Sequence, residues 1–348
     1  MKNQPSDSEA LLTTPDGWGS VPQVTHSDVI DWLLDSDPAI RWQVERDLLD
    51  APEQVWRATR ALVETEGWGA RLLAHQDADG QWAGGAFVPA GFDWDAAQAS
   101  PEPWSRIQPW TATYPTLVVL RDLGWDPQSP RAQRMVELLR QNCRWEHEDE
   151  PFWDGEVEPC INGMTVALGS YFGVDVLPIV DRLLGERLPD GGWNCEAEFG
   201  STVSSFDSTT DVLEGLLAYQ LAAGGSAALI DARHEAEEYL LRRRLYRRLS
   251  TGEPANPVYL TLGHPFRFWH SVLRSLDYFR RASIADRRPP DPRLTEAAEW
   301  LRSVRDEDGT WHQQLRHGGA TWFDMEPVGE PSRWLTLYAL RIERWLQG

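Results

Sequence analysis

The residues best equipped for chemistry in this 348-residue chain are few and widely separated. Cys160 stands just before Ile161-Asn162-Gly163, and Cys195 ends the string Gly192-Trp193-Asn194-Cys195. Asp207 lies in Ser205-Phe206-Asp207-Ser208-Thr209, where an apolar helical pattern begins, and His264 precedes another such pattern. Two thiolates with an imidazole or carboxylate, leaving one position open, hold a catalytic zinc ion. Cys160, Cys195, Asp207 and His264 are therefore candidate metal ligands, and Zn2+ the candidate cofactor. The same residues admit plainer roles, as small buried packing cysteines and an N-cap aspartate. No close Cys-X-X-Cys pair is present, so the spacing does not choose between them. With Cys143, the three cysteines are an odd and scattered set, which fits reduced thiols or ligands better than a disulfide framework.

A second group has acid, base and binding chemistry. His264 and His270 are six positions apart in His264-Pro265-Phe266-Arg267-Phe268-Trp269-His270. A histidine titrates near neutral pH and suits general acid or base work, although either can equally be a satisfied structural residue. Glu326 and Arg333 flank the start of the last helical pattern, where a carboxylate and a guanidinium can bind or polarise a ligand; Ser332 beside them is also a simple cap. His270, Glu326 and Asp207 form the candidate catalytic set. Trp94, Trp104, Trp110, Trp269 and Trp334 can line an apolar cavity and stabilise a cation with their ring faces, or pack a lid. Of these, Trp94, Trp110, Trp269 and Trp334, with Arg333, are the candidate substrate contacts.

Helices must position these residues. Val29, Ile30, Leu33 and Leu34 form one apolar stripe and Ile40, Val44 and Leu48 a second, with Asp37 at an N-cap and Pro38 at the first helical position. Amphipathic segments over 54–74, 130–141, 175–184, 229–241 and 292–302 read as outer helices. Segments over 111–123, 160–172, 208–221, 266–279 and 332–346 are apolar around more of their circumference and read as an inner set. No alternating pattern competes for a strand. Two stretches, 83–109 and 250–262, read as long loops, the first a possible lid.

A turn recurs among these helices. Gln76 to Trp82, Leu188 to Trp193 and Asp306 to Trp311 each end in Gly-X-Trp; Asp79, Asp190 and Asp308 are 111 and 118 positions apart. A weaker cognate is Trp153-Asp154-Gly155. Repetition assigns those aspartates to turn and capping work, and it gives the 19 tryptophans a structural use.

Composition bounds the rest. A hydrophobic content of 41% supports a sizeable core, and the helical pattern predicts one domain over 26–348 after a flexible segment, 1–25. The net charge of -21 opposes phosphate backbones and anionic membrane surfaces. No apolar run is long enough for a membrane helix, and residues 1–25 lack the pattern of a signal or transit peptide. The expectation is a cytoplasmic protein with a small-molecule partner, no nucleic acid and an undetermined oligomeric state. Lys2 is the only lysine, so the positive charge is carried almost wholly by arginine.

The Gly-X-Trp turns, at Gln76–Trp82, Asp190–Trp193 and Asp308–Trp311, resemble the QW repeat of squalene and oxidosqualene cyclases. The order of outer helix, turn and inner helix resembles the β subunit of protein prenyltransferases. This prenyltransferase and squalene-cyclase-like resemblance covers residues 50 to 348 and implies an all-α fold, a single α/α toroid of about five to six helical hairpins. In such a toroid the inner-helix N-termini meet at one end, which would bring Cys160, Cys195, Asp207 and His264 together where relatives hold zinc with Cys, His and Asp ligands. Departures narrow the function. Asp93-Trp94-Asp95 and Asp35-Ser36-Asp37 lack the Asp-X-Asp-Asp acid of class II cyclases, there is no Asp-Asp-X-X-Asp magnesium motif, and the length suits one barrel rather than two. The expected activity is a zinc-assisted cyclisation or group transfer on a small apolar or isoprenoid-like molecule. A metal-free acid/base cyclase or isomerase and a non-enzymatic lipid-binding protein are the alternatives.

Overall fold

The computed structural model describes residues 26–102 and 107–348; the segment 1–25 and Trp104 lie outside the described residues. All regular elements among those residues are helical, joined by turns and isolated bridges, so the all-α expectation holds.

The chain opens with α1 (His26–Leu34) and α2 (Pro38–Asp47). Asp37 caps α2 by accepting the Ala39 N–H at 2.9 Å, and its other oxygen accepts the Trp68 N–H at 2.7 Å. One carboxylate thus satisfies two free helix-start amides. The single helix expected over 54–74 is instead α3 (Glu53–Ala61), a 3-10 turn (Leu62–Glu64) and α4 (Gly67–Leu73). The break falls at Gly67, whose φ of +64° suits glycine alone and places the Asp37 carboxylate where a Cβ would be.

The next elements are α5 (Trp94–Ala99), a short helix inside the first long loop, then α6 (Thr113–Leu123), α7 (Pro130–Asn142), α8 (Pro159–Phe172) and α9 (Leu177–Gly185). They are followed by α10 (Phe206–Ala223), α11 (Ala227–Arg242), α12 (Val272–Asp286), α13 (Thr295–Ser303) and α14 (Arg333–Gln347). Helices α6, α8, α10, α12 and α14 are the most buried, and each touches the next in that order; α14 touches α2, α2 touches α4 and α4 touches α6. The amphipathic α7, α9, α11 and α13 pack outside α8, α8, α10 and α12 respectively. No described helix is long and apolar enough to cross a membrane.

Three tryptophans make the same latch. The buried indoles of Trp82, Trp193 and Trp311 donate to the carbonyls of Leu72, Leu183 and Leu301, each ten residues back, at 2.8, 2.7 and 2.8 Å. Their backbone N–H groups donate to the hydroxyls of Thr113, Thr209 and Thr336 at 3.1, 3.2 and 3.0 Å. Each latch satisfies the end of an outer helix and fastens it to the start of an inner one.

One expectation is filled out and one needs correction. The inner helices, apolar around much of their circumference, also bury Asp211, Glu214, Arg274, Asp277 and Arg341: Arg274 pairs with Asp211 and Glu214, Asp277 with Arg280 and Arg281, and Arg341 with Asp47. Helix α12 begins at Val272 rather than 266, with Ser271 as its cap and Arg267 at a φ of +58° in the segment before it.

The closest pairing is α8 with α10. A Cβ on Gly163 would come within 2.6 Å of the Asp211 carbonyl, and one on Gly215 within 2.1 Å of the Gly163 carbonyl. Glycine at both positions lets the two backbones touch, which fixes the spacing of everything mounted on their N-terminal ends.

Candidate functional site

A cavity of about 850 Å³ opens at the N-terminal ends of α8 and α10. Its apolar wall includes Phe87, Trp94, Trp145, Phe199, Phe268 and Trp269, and its polar wall includes Glu158, Cys160, Cys195, Asp207, Ser208 and Asp211. Glu146 fastens part of the long first loop over it, accepting the N–H groups of Ala86, Phe87 and Val88 at 2.9, 3.0 and 3.2 Å.

Cys160 enters from the first turn of α8, just after Pro159 at N1. Cys195 opens a 3-10 turn (Cys195–Ala197) capped by Asn194. Ser208, near the start of α10, holds Cys195 by accepting its N–H at 3.2 Å, and its hydroxyl is also 3.2 Å from the sulfur. The two sulfurs, 35 residues apart in sequence, lie 2.7 Å from each other. Glu158 Oε2 is 3.3 Å from the Cys160 sulfur, and the three ligand atoms lie within 4.8 Å of one another.

The electrostatics at this cluster are one-sided. Cys195, burial, Glu158 and Asp211 all push the Cys160 thiol well above its ordinary pKa of 9.0. Three groups capable of ionising to anions meet here. The sulfur separation falls between the ~2.05 Å of a disulfide and the roughly 3.8 Å expected for two thiolates on tetrahedral zinc with Zn–S near 2.3 Å. Two sulfurs, a carboxylate and an adjoining cavity form a donor set that suits zinc with an open position.

The remaining expected residues distribute as follows. Asp207 lies in the same cavity, but its oxygens already accept the His270 N–H at 2.7 Å and the Tyr259 hydroxyl at 3.0 Å. It stands beside the thiol cluster rather than within it. Burial raises its pKa, against those two hydrogen bonds. His270 sits behind Asp207 in the wall of a neighbouring 350 Å³ cavity. Its Nε2–H donates to the Leu245 carbonyl and its Nδ1 accepts from Thr210, both at 2.7 Å, and burial holds it to a pKa of about 3. That neutral, fully satisfied ring is a structural histidine.

His264 is stacked on Trp334 at 4.5 Å and lines a different, small cavity with Trp110 and Glu326. Glu326 accepts the Ser332 hydroxyl and the Arg333 N–H, the latter at 2.7 Å, and so caps α14. Arg333 lies over the Trp32 ring and donates to the carbonyls of Trp32 and Asp35, docking α1 against α14. Trp110 and Trp334 are buried. Trp94 and Trp269 do face the main cavity, and the buried Trp269 indole N–H has no partner.

Two residues of this site escape sequence reasoning. Glu158 precedes a helix and looks like ordinary helix-start acid. Asp211 was recoverable in principle, because it lies four positions after Asp207 and so shares its helix face. Its Oδ1 accepts from Arg274 at 2.6 Å, its Oδ2 is buried without a partner, and burial pushes its pKa well above the ordinary 3.8.

No protein-family model matches the chain, and no curated protein matches it. Similar solved structures include a crystal structure of a protein from Actinoplanes, 17% identical, covering 90% of this chain and 91% of that one with a TM-score of 0.42.

Proposed function

We propose that the chain is an enzyme in which Cys160, Cys195 and Glu158 hold a zinc ion beside the aromatic cavity, acting on a small, largely apolar molecule. The observation that carries this reading is the meeting of two thiols and a carboxylate, from separate segments, on that cavity's wall. Bound zinc would supply Lewis-acid polarisation of a substrate oxygen or sulfur. The chain's own residues do the rest. Phe87, Trp94, Phe268 and Trp269 enclose the apolar body of the substrate and exclude water, and the free Trp269 N–H orients a polar atom on it. Asp211, one of the residues lining the same space, has an oxygen without a partner and can bind a polar hydrogen there.

The sequence of helix contacts from α4 through α14 and back by way of α2 supports closure into an α/α toroid. The recurrence of one tryptophan latch supports the cyclase and prenyltransferase resemblance for the architecture. Fold alone does not assign a reaction, so cyclisation and group transfer both stay within the proposal.

Elemental analysis of reduced protein loaded with zinc and desalted tests the metal directly. The expected result is one equivalent of zinc in the parent, lost in Cys160→Ala and Cys195→Ala and reduced in Glu158→Gln, with unchanged far-ultraviolet circular dichroism. A metal-free parent after loading overturns it. A second reading, acid/base catalysis without metal, draws on the raised pKa values of Asp207 and Asp211 in the same cavity. It requires that both cysteine variants keep their turnover.

A further inference from the structure

A second cavity, of about 490 Å³, lies among the C-terminal halves of the inner helices, between α2, α6, α8, α10, α12 and α14. Its wall carries eight arginines against three acids, Asp122, Glu214 and Asp277. Most of the arginines are paired. Arg121 meets Asp122 at 2.8 Å, Arg274 meets Asp211 at 2.6 Å and Glu214 at 2.8 Å, and Arg280 meets Asp277 at 2.8 Å. Arg281 shares Asp277, while Arg46 and Arg341 share Asp47.

Two arginines have no acid. Arg60 donates to the Gly124 carbonyl and the Tyr171 hydroxyl, both at 2.8 Å. Arg267 has no hydrogen-bond or ion-pair partner among the described residues; only the Trp110 ring, 4.8 Å away, faces its guanidinium. Burial and the nearby Arg316 push its pKa down to about 9, against the more distant Asp122 and Asp324; Arg267 lies between this cavity and the smaller one that it shares with Trp110 and Arg316. Two further polar atoms on this wall, Arg341 Nε and Ser170 Oγ, are buried without partners. Arg60 and Arg267 are half-buried guanidinium groups without an acid, and Arg341 Nε and Ser170 Oγ are buried donors; an anion in the cavity offers acceptors to both kinds of group. Guanidinium forks also match the geometry of phosphate and carboxylate oxygens.

The rest of the wall is apolar: Val118, Met164, Ala167, Ala218, Phe266 and Tyr338. We propose that this cavity is a second binding site, distinct from the thiol cavity, for a small organic molecule bearing a multivalent oxyanion, with Arg267 and Arg60 contacting the charged head. The acidic exterior of the chain repels such an ion at long range; the interior arginines supply the local attraction. The assignment does not depend on zinc.

Isothermal titration of the full chain with inorganic phosphate, diphosphate and citrate, at ionic strength held constant with sodium chloride, tests it. At least one probe is expected to bind saturably at one site per chain. Binding is expected to weaken at least tenfold in Arg267→Gln and in Arg60→Gln. It should be unchanged in Cys160→Ala and in Arg293→Gln, an arginine paired with Asp291 and Glu238 on the surface. Because Arg267 pairs with no acid, its replacement leaves the ion network whole, and circular dichroism checks the fold. Absence of saturable binding by all three probes overturns the proposal, as does undiminished binding in both arginine variants.

Discussion

The two cavities are opposites in charge, and helix direction explains part of the difference. At the N-terminal ends of α8 and α10, where the helix dipole is positive and N–H groups are free, the protein places Glu158, Asp207 and two thiols. Among the C-terminal halves, where the dipole is negative, it places Arg121, Arg280, Arg281 and Arg341, and Arg60 donates directly to the α6-terminal carbonyl of Gly124. Arg274, with Asp211 and Glu214 on α10, stands between the two. Acids and thiols predominate at one end and arginines at the other, and the helix dipoles offset a share of each excess. A net charge of -21 conceals this internal separation completely.

The largest break comes from removing the partition. Arg274→Met leaves Asp211 and Glu214 buried without their cation, and urea denaturation is expected to show a loss of about 3–5 kcal/mol. A loss below about 1 kcal/mol would mean that water or a neighbouring arginine compensates, and the two ends would then not be electrically distinct. Next is Gly163→Ala, which inserts a methyl between α8 and α10 at backbone contact; the expected cost is about 1–3 kcal/mol. It should also separate the thiols, slowing oxidative pairing of Cys160 with Cys195, while diphosphate binding at the arginine end changes less. Equal damage at both ends would show that the cavities are not independently built.

A third effect, graded with pH, is in acid stability. His264 and His270, both near the N-terminal end, are held below the ordinary 6.5 by burial, His270 to about 3. A depressed folded-state pKa contributes stability that is complete above 6.5 and is lost as pH falls toward the folded value. Each histidine costs at most about 1.4 kcal/mol per pH unit below that. Glu214, held to about 2 mainly by Arg274 against its burial, loses its contribution only below 4.5. Acid destabilisation should therefore begin at the thiol end, and His270→Gln should flatten the fall in melting temperature between pH 6 and 4. An unchanged profile would assign the early loss to other groups.

What the sequence disclosed tracks the range of the interactions involved. The tryptophan turns were legible because each latch closes within ten residues and repeats. The Asp37 cap was legible for the same reason. Cys160 and Cys195 were found as chemically apt residues and are adjacent in space. His264 was grouped with them because it too precedes an inner helix, but its ring turns toward Trp334 instead. Glu158 was missed because nothing local distinguishes a ligand carboxylate from a helix-start acid. The arginine cavity was invisible for a related reason: its members are spread over α2, α3, α6, α12 and α14 and the segment before α12. In each segment an arginine reads as solvent-facing, and only the packing of the inner helices turns these residues to a common centre. Glu326 and Arg333 were recognised as belonging to a helix start, where their capping and docking contacts account for them.

The three tryptophan latches also give the molecule a set of matched internal clocks. Trp82, Trp193 and Trp311 share the same burial, the same ten-residue reach and nearly the same bond length, so their intrinsic exchange chemistry is alike. Differences among their indole protons in hydrogen exchange would then report only how often each sector opens. An order among the three rates would identify the seam at which the domain first comes apart.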